Sequence, residues 1–381
     1  MNDFPKSANV VIVGGGVIGL AVARALATRG IPNVLVIERG SLGGEASSAA
    51  AGMLAPQAEA DDADSFFKLC CRSRDIYPVF AEALREETGI DVELDTTGTL
   101  YLAFTEHDRE EIAHRYEWQA RAGLSIQKLA QDELRQLEPS VSKQATAALK
   151  FPLDIQVENR RVVSALATSN ARAGVQLMTS TPVQAIRVER HRVHGVETSQ
   201  GFVSTSTVVV AGGAWSSLIV GADQPLPNIP IEPVRGQMIS FEANPNVVRH
   251  VIYSPRGYIV PRRDGRLLAG STTEHAGFDK RVTAGAVHSI LSHALEISPT
   301  ISVLPMVDSW AGLRPRSLDD LPVLGPSGRI QGLVYATGHY RNGILLAPLT
   351  GELIANAIAD TVVSPLLHDF VPERFELVDV S

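Results

Sequence analysis

Residues 10–38 read VVIVGGGVIGLAVARALATRGIPNVLVIE, and this stretch decides the fold. Val10 to Val13 is a short apolar, β-branched run of the kind that forms a buried parallel strand. Gly14, Gly16 and Gly19 follow with the spacing G-x-G-x-x-G. Ile18, Ala21, Val22, Ala25 and Leu26 then recur at helical spacing, and Gly30 stands where a helix would be capped. Val34 to Ile37 is a second apolar run, closed by Glu38 nineteen residues after Gly19. Each residue type has a physical task. Gly14 permits a tight turn, Gly16 lets backbone approach a pyrophosphate, and Gly19 lets helix lie close to strand. The helix N-terminus offers unpaired N–H groups and a positive dipole end to phosphates. Glu38 can accept hydrogen bonds from a ribose diol, and its charge would repel a 2′-phosphate. Strand, glycines, helix, strand and acid in this order predict a dinucleotide site.

Composition bounds the rest. The chain has 381 residues, enough for two domains or one domain with a large insertion. Apolar residues make up 45% and charged residues 20%, which permits a sizeable core and argues against disorder. A net charge of −8 argues against a nucleic-acid surface. The two cysteines, Cys70 and Cys71, are adjacent; they predict reduced thiols in a cytoplasmic protein, with no disulfide and no metal site. The first residues lack a signal-peptide core, and no apolar run has transmembrane length.

Along the chain, residues 41–55 (SLGGEASSAAAGMLA) are small and Gly-rich. They read either as a flexible loop or as backbone packed against a flat ligand. Residues 65–88 are expected to be helical, 97–104 a strand, 107–122 a charged, exposed helix and 130–137 a short helix. A helix over 160–173 and a strand at 175–178 come next. A meander is expected over 183–188, 192–197 and 202–204, then a buried strand at 207–211. Strands at 235–241 and 258–269, the latter turning at Asp264-Gly265, lead to a helix over 284–297. Val307 to Leu313 runs into Arg314-Pro315, and Leu333 to Ala336 is the last buried strand before a helix over 349–359. The fold class is α/β: a Rossmann-like, glutathione-reductase-like dinucleotide domain with a second, mostly antiparallel β substrate domain. The domains are expected at 7–55 with 150–224 and 312–381, and at 56–149 with 225–311. Only one G-x-G-x-x-G follows a strand, so electrons must come from the substrate itself and not from a second, pyridine-nucleotide domain.

Taken together, VVIVGGGVIGL with Glu38, SSAAAGML, YIVPRRDGRLLAGST, WAGLRPRSLDDLPVLG and GHYRNGILLAP span nearly the whole chain. In these motifs the sequence resembles the D-amino-acid oxidase family of FAD enzymes, above all its glycine oxidase branch, linked to thiamine biosynthesis. The resemblance implies FAD rather than NAD. It puts Val17 and Ile18 at the pyrophosphate turn and Glu38 and Arg39 beside the adenosine ribose. Ala46, Ser47, Ala51, Gly52 and Met53 would line the flavin and its ribityl chain, and Val183 would meet the adenine. His339, Tyr340, Arg341, Asn342, Gly343, Ile344 and Leu345 would pass under the flavin pyrimidine. The FAD is expected to be non-covalent, since neither cysteine lies near that loop.

For the substrate, the resemblance puts Arg314 on the α-carboxylate, where its planar fork would suit bidentate contact. The alternative is a structural arginine paired with Asp319 or Asp320. Arg341 matches a second substrate arginine, and its alternative is a loop arginine on a phosphate or carbonyl. Tyr258 matches a tyrosine that helps hold the carboxylate; the alternative is an ordinary strand tyrosine. Thr273 stands where a larger apolar residue is expected near the substrate, and Arg256 is unexpectedly basic before Tyr258; both put the side-chain pocket in question. The implied reaction is oxidative deamination of glycine or a small amine-bearing acid (sarcosine, D-alanine, D-proline). Hydride would pass to flavin N5, giving an oxo acid, ammonia or an amine, and hydrogen peroxide from oxygen. The rival is a D-amino-acid or sarcosine dehydrogenase that passes electrons to a quinone or protein acceptor. The expected partners are a small amino acid and oxygen, with no nucleic acid, no membrane and a possible homo-oligomer.

Overall fold

The structure, a computed structural model, describes residues 4–378. The opening strand Val10–Val13 lies inside a six-stranded sheet. Its strand order is Val323–Pro326, Leu333–Thr337, Val208–Val210, Val10–Val13, Val34–Ile37, Gln176–Met178. All neighbours pair in parallel except the antiparallel edge Val323–Pro326. Val10, Ile12, Val34 and Val36 point to one core, while Val11, Val13, Leu35 and Ile37 point to another. A sheet covered on both faces explains runs that are apolar at every position. One face carries the helices Val17–Thr28, Asn159–Arg172 and Gly343–Ala359. The other carries the smaller sheet of Val183–Glu189, Arg192–Thr198, Gly201–Ser204 and Val220–Gly221.

The turn after Val13 is as tight as its glycines predict. Gly14 has φ +115, and a Cβ there would meet the Ala211 carbonyl oxygen at 2.3 Å. A Cβ on Gly19 would meet the Gly14 carbonyl oxygen at 2.0 Å. A side chain at Gly14 would drive into the end of the neighbouring strand at Ala211, and one at Gly19 would push the helix off the turn.

A second, eight-stranded sheet stands beside the first. Its order is Met306–Ser317, Ile231–Glu242, Arg266–Gly270, Gly257–Pro261, Val251–Ser254, Thr99–Ala103, Ala147–Phe151, Gln127–Leu129. Its pairings are antiparallel, except that Val251–Ser254 runs parallel to Thr99–Ala103. Ile239, Ile252 and Ile259 turn to the helix Ala284–Ile297, while Met238, Tyr253 and Tyr258 turn to the opposite face. The two-residue alternation of a strand therefore puts Tyr258 on the side that meets the first domain.

Four elements differ from expectation. The last helix begins at Gly343, not near 349, because Pro348 sits early in the helix instead of before it. The helix Glu106–Arg121 buries Ile112, Arg115 and Gln119 although its composition reads as exposed. Arg115 donates to the Ala58 carbonyl at 3.0 Å and Gln119 to the Gln57 carbonyl at 2.8 Å, so these polar groups bind backbone rather than water. The strand that carries Arg314 does not stop before it; Met306–Ser317 is continuous across residue 312, with Arg314 opposite Val234. Finally, the helix Ser65–Thr88 puts Leu69, Cys70, Tyr77 and Leu84 into the helix-covered core of the first sheet, so two elements cross the domain limits read from sequence. No described helix is long and apolar enough to cross a membrane.

Candidate active site

A long cleft runs between the two sheets. At one end it is lined by Gly14, Gly16, Glu38, Arg39, Val183 and Trp215. At the other it is lined by Met238, Tyr253, Tyr258, Arg314, Arg341 and Glu59. Gly16, Ala46, Ser47, Ala211 and Gly213 border both ends, so the cleft is continuous.

At the first end, the N-terminus of the helix Val17–Thr28 faces the cleft, and the Val17 N–H donates to Ser47 Oγ at 3.0 Å. Glu38 lies on the wall, and its two oxygens already accept the backbone N–H groups of Gly15 and Gly40, each at 2.8 Å. These bonds fix the carboxylate's direction and leave further lone pairs for a ligand. Arg39 stacks on the Trp215 ring, 3.6 Å from its centroid. Trp215 escaped the sequence reading; it stands on the 3-10 turn Gly213–Leu218, which follows a parallel strand end as a second lip of the cleft.

The small-residue segment is a wall rather than a flexible loop. Ala46–Ala49 forms one helical turn, and Met53–Leu54 a short strand. Ala46, Ser47, Ala51, Gly52 and Met53 all line the cleft. Their backbone is pinned by side chains from elsewhere. Trp310 Nε1 donates to the Ala49 carbonyl at 3.0 Å, and Asn159 Nδ2 to the Ser47 carbonyl at 2.8 Å. Arg262, buried, donates to the carbonyls of Ala51 at 2.6 Å and Val157 at 2.7 Å. None of these three residues carries a sequence signal, since each acts across the fold.

The far end holds the charges. Arg314 is enclosed; its Nη1 donates to the Thr272 carbonyl at 3.0 Å and its Nη2 to Ser271 Oγ at 2.6 Å. Burial pushes its pKa below the ordinary arginine value. Asp319 is bound by Arg374 and Asp320 by Arg316, so neither is the partner of Arg314. Among the described residues Arg314 has no ion pair. Its guanidinium lies against Gly236, where a Cβ would sit 2.4 Å from both terminal nitrogens. Tyr258 lines the same space, and its hydroxyl has only the distant Met238 sulfur, at 3.8 Å, as a partner.

Arg341 is held differently. Its Nη2 donates to Glu59 Oε1 at 3.1 Å and its Nε to Oε2 at 3.4 Å, while the Tyr253 hydroxyl donates to the same carboxylate at 2.9 Å. Glu59 and Tyr253 were not foreseen; nothing local marks them.

His339 to Asn342, with Gly343 and Ile344, form the floor. Tyr340 adopts φ 46, and its N–H donates to the Pro315 carbonyl at 2.9 Å, which ties the floor to the Arg314 strand. His339 is buried against Thr350, 3.0 Å from its Oγ1, and burial lowers its pKa to about 3. It stays neutral and turns away from proton transfer.

Several expected positions lie outside the cleft. Gly19 packs on Gly14, and the Leu345 side chain is in the helical core with its carbonyl accepting the Ser73 hydroxyl at 2.7 Å. Thr273 is exposed; the chain turns it outward while Ser271 and Thr272 hold Arg314. Arg256 lies away from the cleft, bound to Glu296 at 2.7 Å and Asp108 at 3.2 Å. The cysteines are free thiols on the helix Ser65–Thr88; burial pushes Cys71 up to about 11 and raises Cys70 well above the ordinary thiol value.

The family model "DAO: FAD dependent oxidoreductase" matches residues 9–357. The chain is 39% identical over 352 residues to the glycine oxidase of Geobacillus kaustophilus (strain HTA426), covering 92% of each. It is 35% identical over 374 residues to the bifunctional protein ThiO/ThiG of Synechocystis, covering 97% of this chain and 54% of that one, so it spans about half that relative's length. The crystal structure of glycine oxidase from Geobacillus kaustophilus superposes with a TM-score of 0.91 at 36% identity, covering 97% of this chain and 99% of that one.

Proposed function

The chain belongs to the DAO family of FAD-dependent oxidoreductases, and from that premise we propose that it oxidatively deaminates glycine or a similarly small amine-bearing acid. One amino acid, one oxygen and one water would give an oxo acid, ammonia and hydrogen peroxide. The cleft fits FAD: it is continuous, it has a helix N-terminus at one end, and its middle is walled by alanines and glycine that leave room for a flat ring. Val17, Ile18 and Ser47 would hold the pyrophosphate region, Glu38 and Arg39 the ribose, and Trp215 and Val183 the adenine side. The small-residue wall and the 339–344 floor would hold the ring. Bound there, FAD supplies the two-electron acceptor. We propose a non-covalent attachment, since neither cysteine lines this cleft.

The observation that carries the substrate reading is Arg314. It is a half-buried guanidinium on the cleft, and among the described residues its hydrogen-bond partners are neutral oxygens. A charge partly withdrawn from water without a counter-ion is costly, so the geometry calls for an anion from outside. A carboxylate fits the fork of Arg314 and the free hydroxyl of Tyr258. Held there, an α-carbon is fixed in direction, which supplies the positioning part of the rate enhancement. The apolar neighbours Met238 and Ala51 exclude water. The gap beside them suits a small side chain.

The test uses the purified holoprotein. It should be yellow and release FAD on acid precipitation. Glycine should bleach it without air and produce stoichiometric peroxide in air. No bleaching by glycine, sarcosine, D-alanine or D-proline would refute the reading, and bleaching without peroxide would favour the dehydrogenase.

A further inference from the structure

Three charged side chains line the substrate end of the cleft: Arg314, Arg341 and Glu59. We propose that Glu59 sets the charge of this cavity and thereby restricts the enzyme to amino acids with a single carboxylate. The inference rests on Arg314 being the carboxylate site and adds a specificity residue to it.

Glu59 is fixed by its surroundings. It ends the short helix Pro56–Glu59, whose Gln57 and Ala58 N–H groups donate to Asp154 at 3.3 and 2.8 Å. Arg115 and Gln119 bind the carbonyls of the same turn. With the turn fixed, the carboxylate cannot swing away without losing its three hydrogen bonds to Arg341 and Tyr253. Burial opposes its ionisation, but Arg341 and Tyr253 prevail and hold its carboxyl below the usual range. Arg341 is held charged, chiefly by Glu59. Two cations and one anion leave the cavity with one net positive charge, which a single carboxylate on Arg314 cancels. A second carboxylate would need a second free cation, and Arg341 is already neutralised.

The approach reinforces this. A further cavity shares Glu59, Tyr253 and Arg341 and is lined by Asp61, Asp62, Asp64, Glu111 and Asp320 against one further cation, Arg115, which pairs with Asp61 and Glu111, so its acids outnumber its cations. A dianion entering past these groups meets like charge, whereas a zwitterion with one carboxylate does not.

The experiment compares one- and two-carboxylate ligands of matched chemistry on the FAD-loaded protein. Acetate and malonate binding are read from the visible spectrum, and kcat/KM from glycine and iminodiacetate. Wild type should prefer acetate and glycine. Glu59→Gln, which keeps shape and an acceptor for Tyr253, should move both ratios toward the dicarboxylate by about tenfold or more, the scale of one charge-assisted contact. Glu59→Gln combined with Arg341→Gln should return the ratios toward wild type, because the net charge is again one. Arg341→Gln alone leaves Glu59 unneutralised and should weaken acetate about tenfold. Ratios in Glu59→Gln within about twofold of wild type, or unchanged acetate binding in Arg341→Gln should the first variant not fold, overturn the inference. Acetate that binds equally with and without Arg314 overturns the underlying site as well, so the two failures are separable.

Discussion

At the nucleotide end of the cleft, Gly14, Gly16, Val17, Glu38, Arg39 and Ser47 come from one run of fewer than forty residues. At the substrate end, Glu59, Tyr253, Tyr258, Arg314 and Arg341 come from four separate segments. The first end works through backbone: glycines, a helix N-terminus and a carboxylate held by two N–H groups. The second works through charged side chains at the cleft wall. Its two arginines show the contrast within a single cavity. Arg341 has its counter-ion in the protein, in Glu59; Arg314 has neutral partners and lacks one. A charge that the fold pairs serves structure, and one it leaves without a counter-ion is the one we propose as the carboxylate site.

The contrast breaks most directly at Arg314. Arg314→Met should leave FAD bound and the Tm nearly unchanged, because loss of two hydrogen bonds is offset by relief of a half-buried, uncompensated charge. Its kcat/KM should fall roughly tenfold to over a hundredfold, the scale of about 1.5–3 kcal/mol with added misplacement of the α-carbon. Arg314→Lys should recover only part, since an ammonium keeps charge without the fork. Steady-state rates and melts on one preparation decide; normal kinetics on a less stable protein would mean a structural arginine.

A smaller effect is expected one strand away. Gly236→Ala places a methyl 2.4 Å from the Arg314 nitrogens, at the movable end of a side chain. The fold should survive while the guanidinium shifts, with acetate affinity and kcat/KM falling about tenfold. Unchanged acetate affinity with a normal melt would show that the fork need not lie over Gly236.

Glu38→Ala should affect turnover least once FAD is saturating. It removes the acceptor of the Gly15 and Gly40 N–H groups as well as the proposed ribose contact, at about 1–3 kcal/mol for each group left unpaired. FAD affinity and Tm should fall together. A lower Tm with unchanged affinity in a titration of the apoprotein would confine Glu38 to the turn.

How much could be read in advance follows from the same contrast. The residue string alone determined the strand, glycine turn and helix that open the chain. The glycine spacing, the apolar runs and Glu38 are constraints between near neighbours, and the close contacts of Gly14 and Gly19 are what their lack of a side chain predicts. Resemblance singled out Tyr258, Arg314 and Arg341. Only the tertiary structure decided their partners. Glu59 meets Arg341 across 282 residues of chain, and Asp319 and Asp320 turned out to belong to Arg374 and Arg316. Thr273 faces outward while its neighbours hold Arg314, and Trp215, Trp310, Arg262 and Asn159 shape the cleft from afar. Sequence pattern records which face of an element is buried. Which charge finds which counter-ion depends on how two sheets and their helices come together, and that is a property of packing at long range.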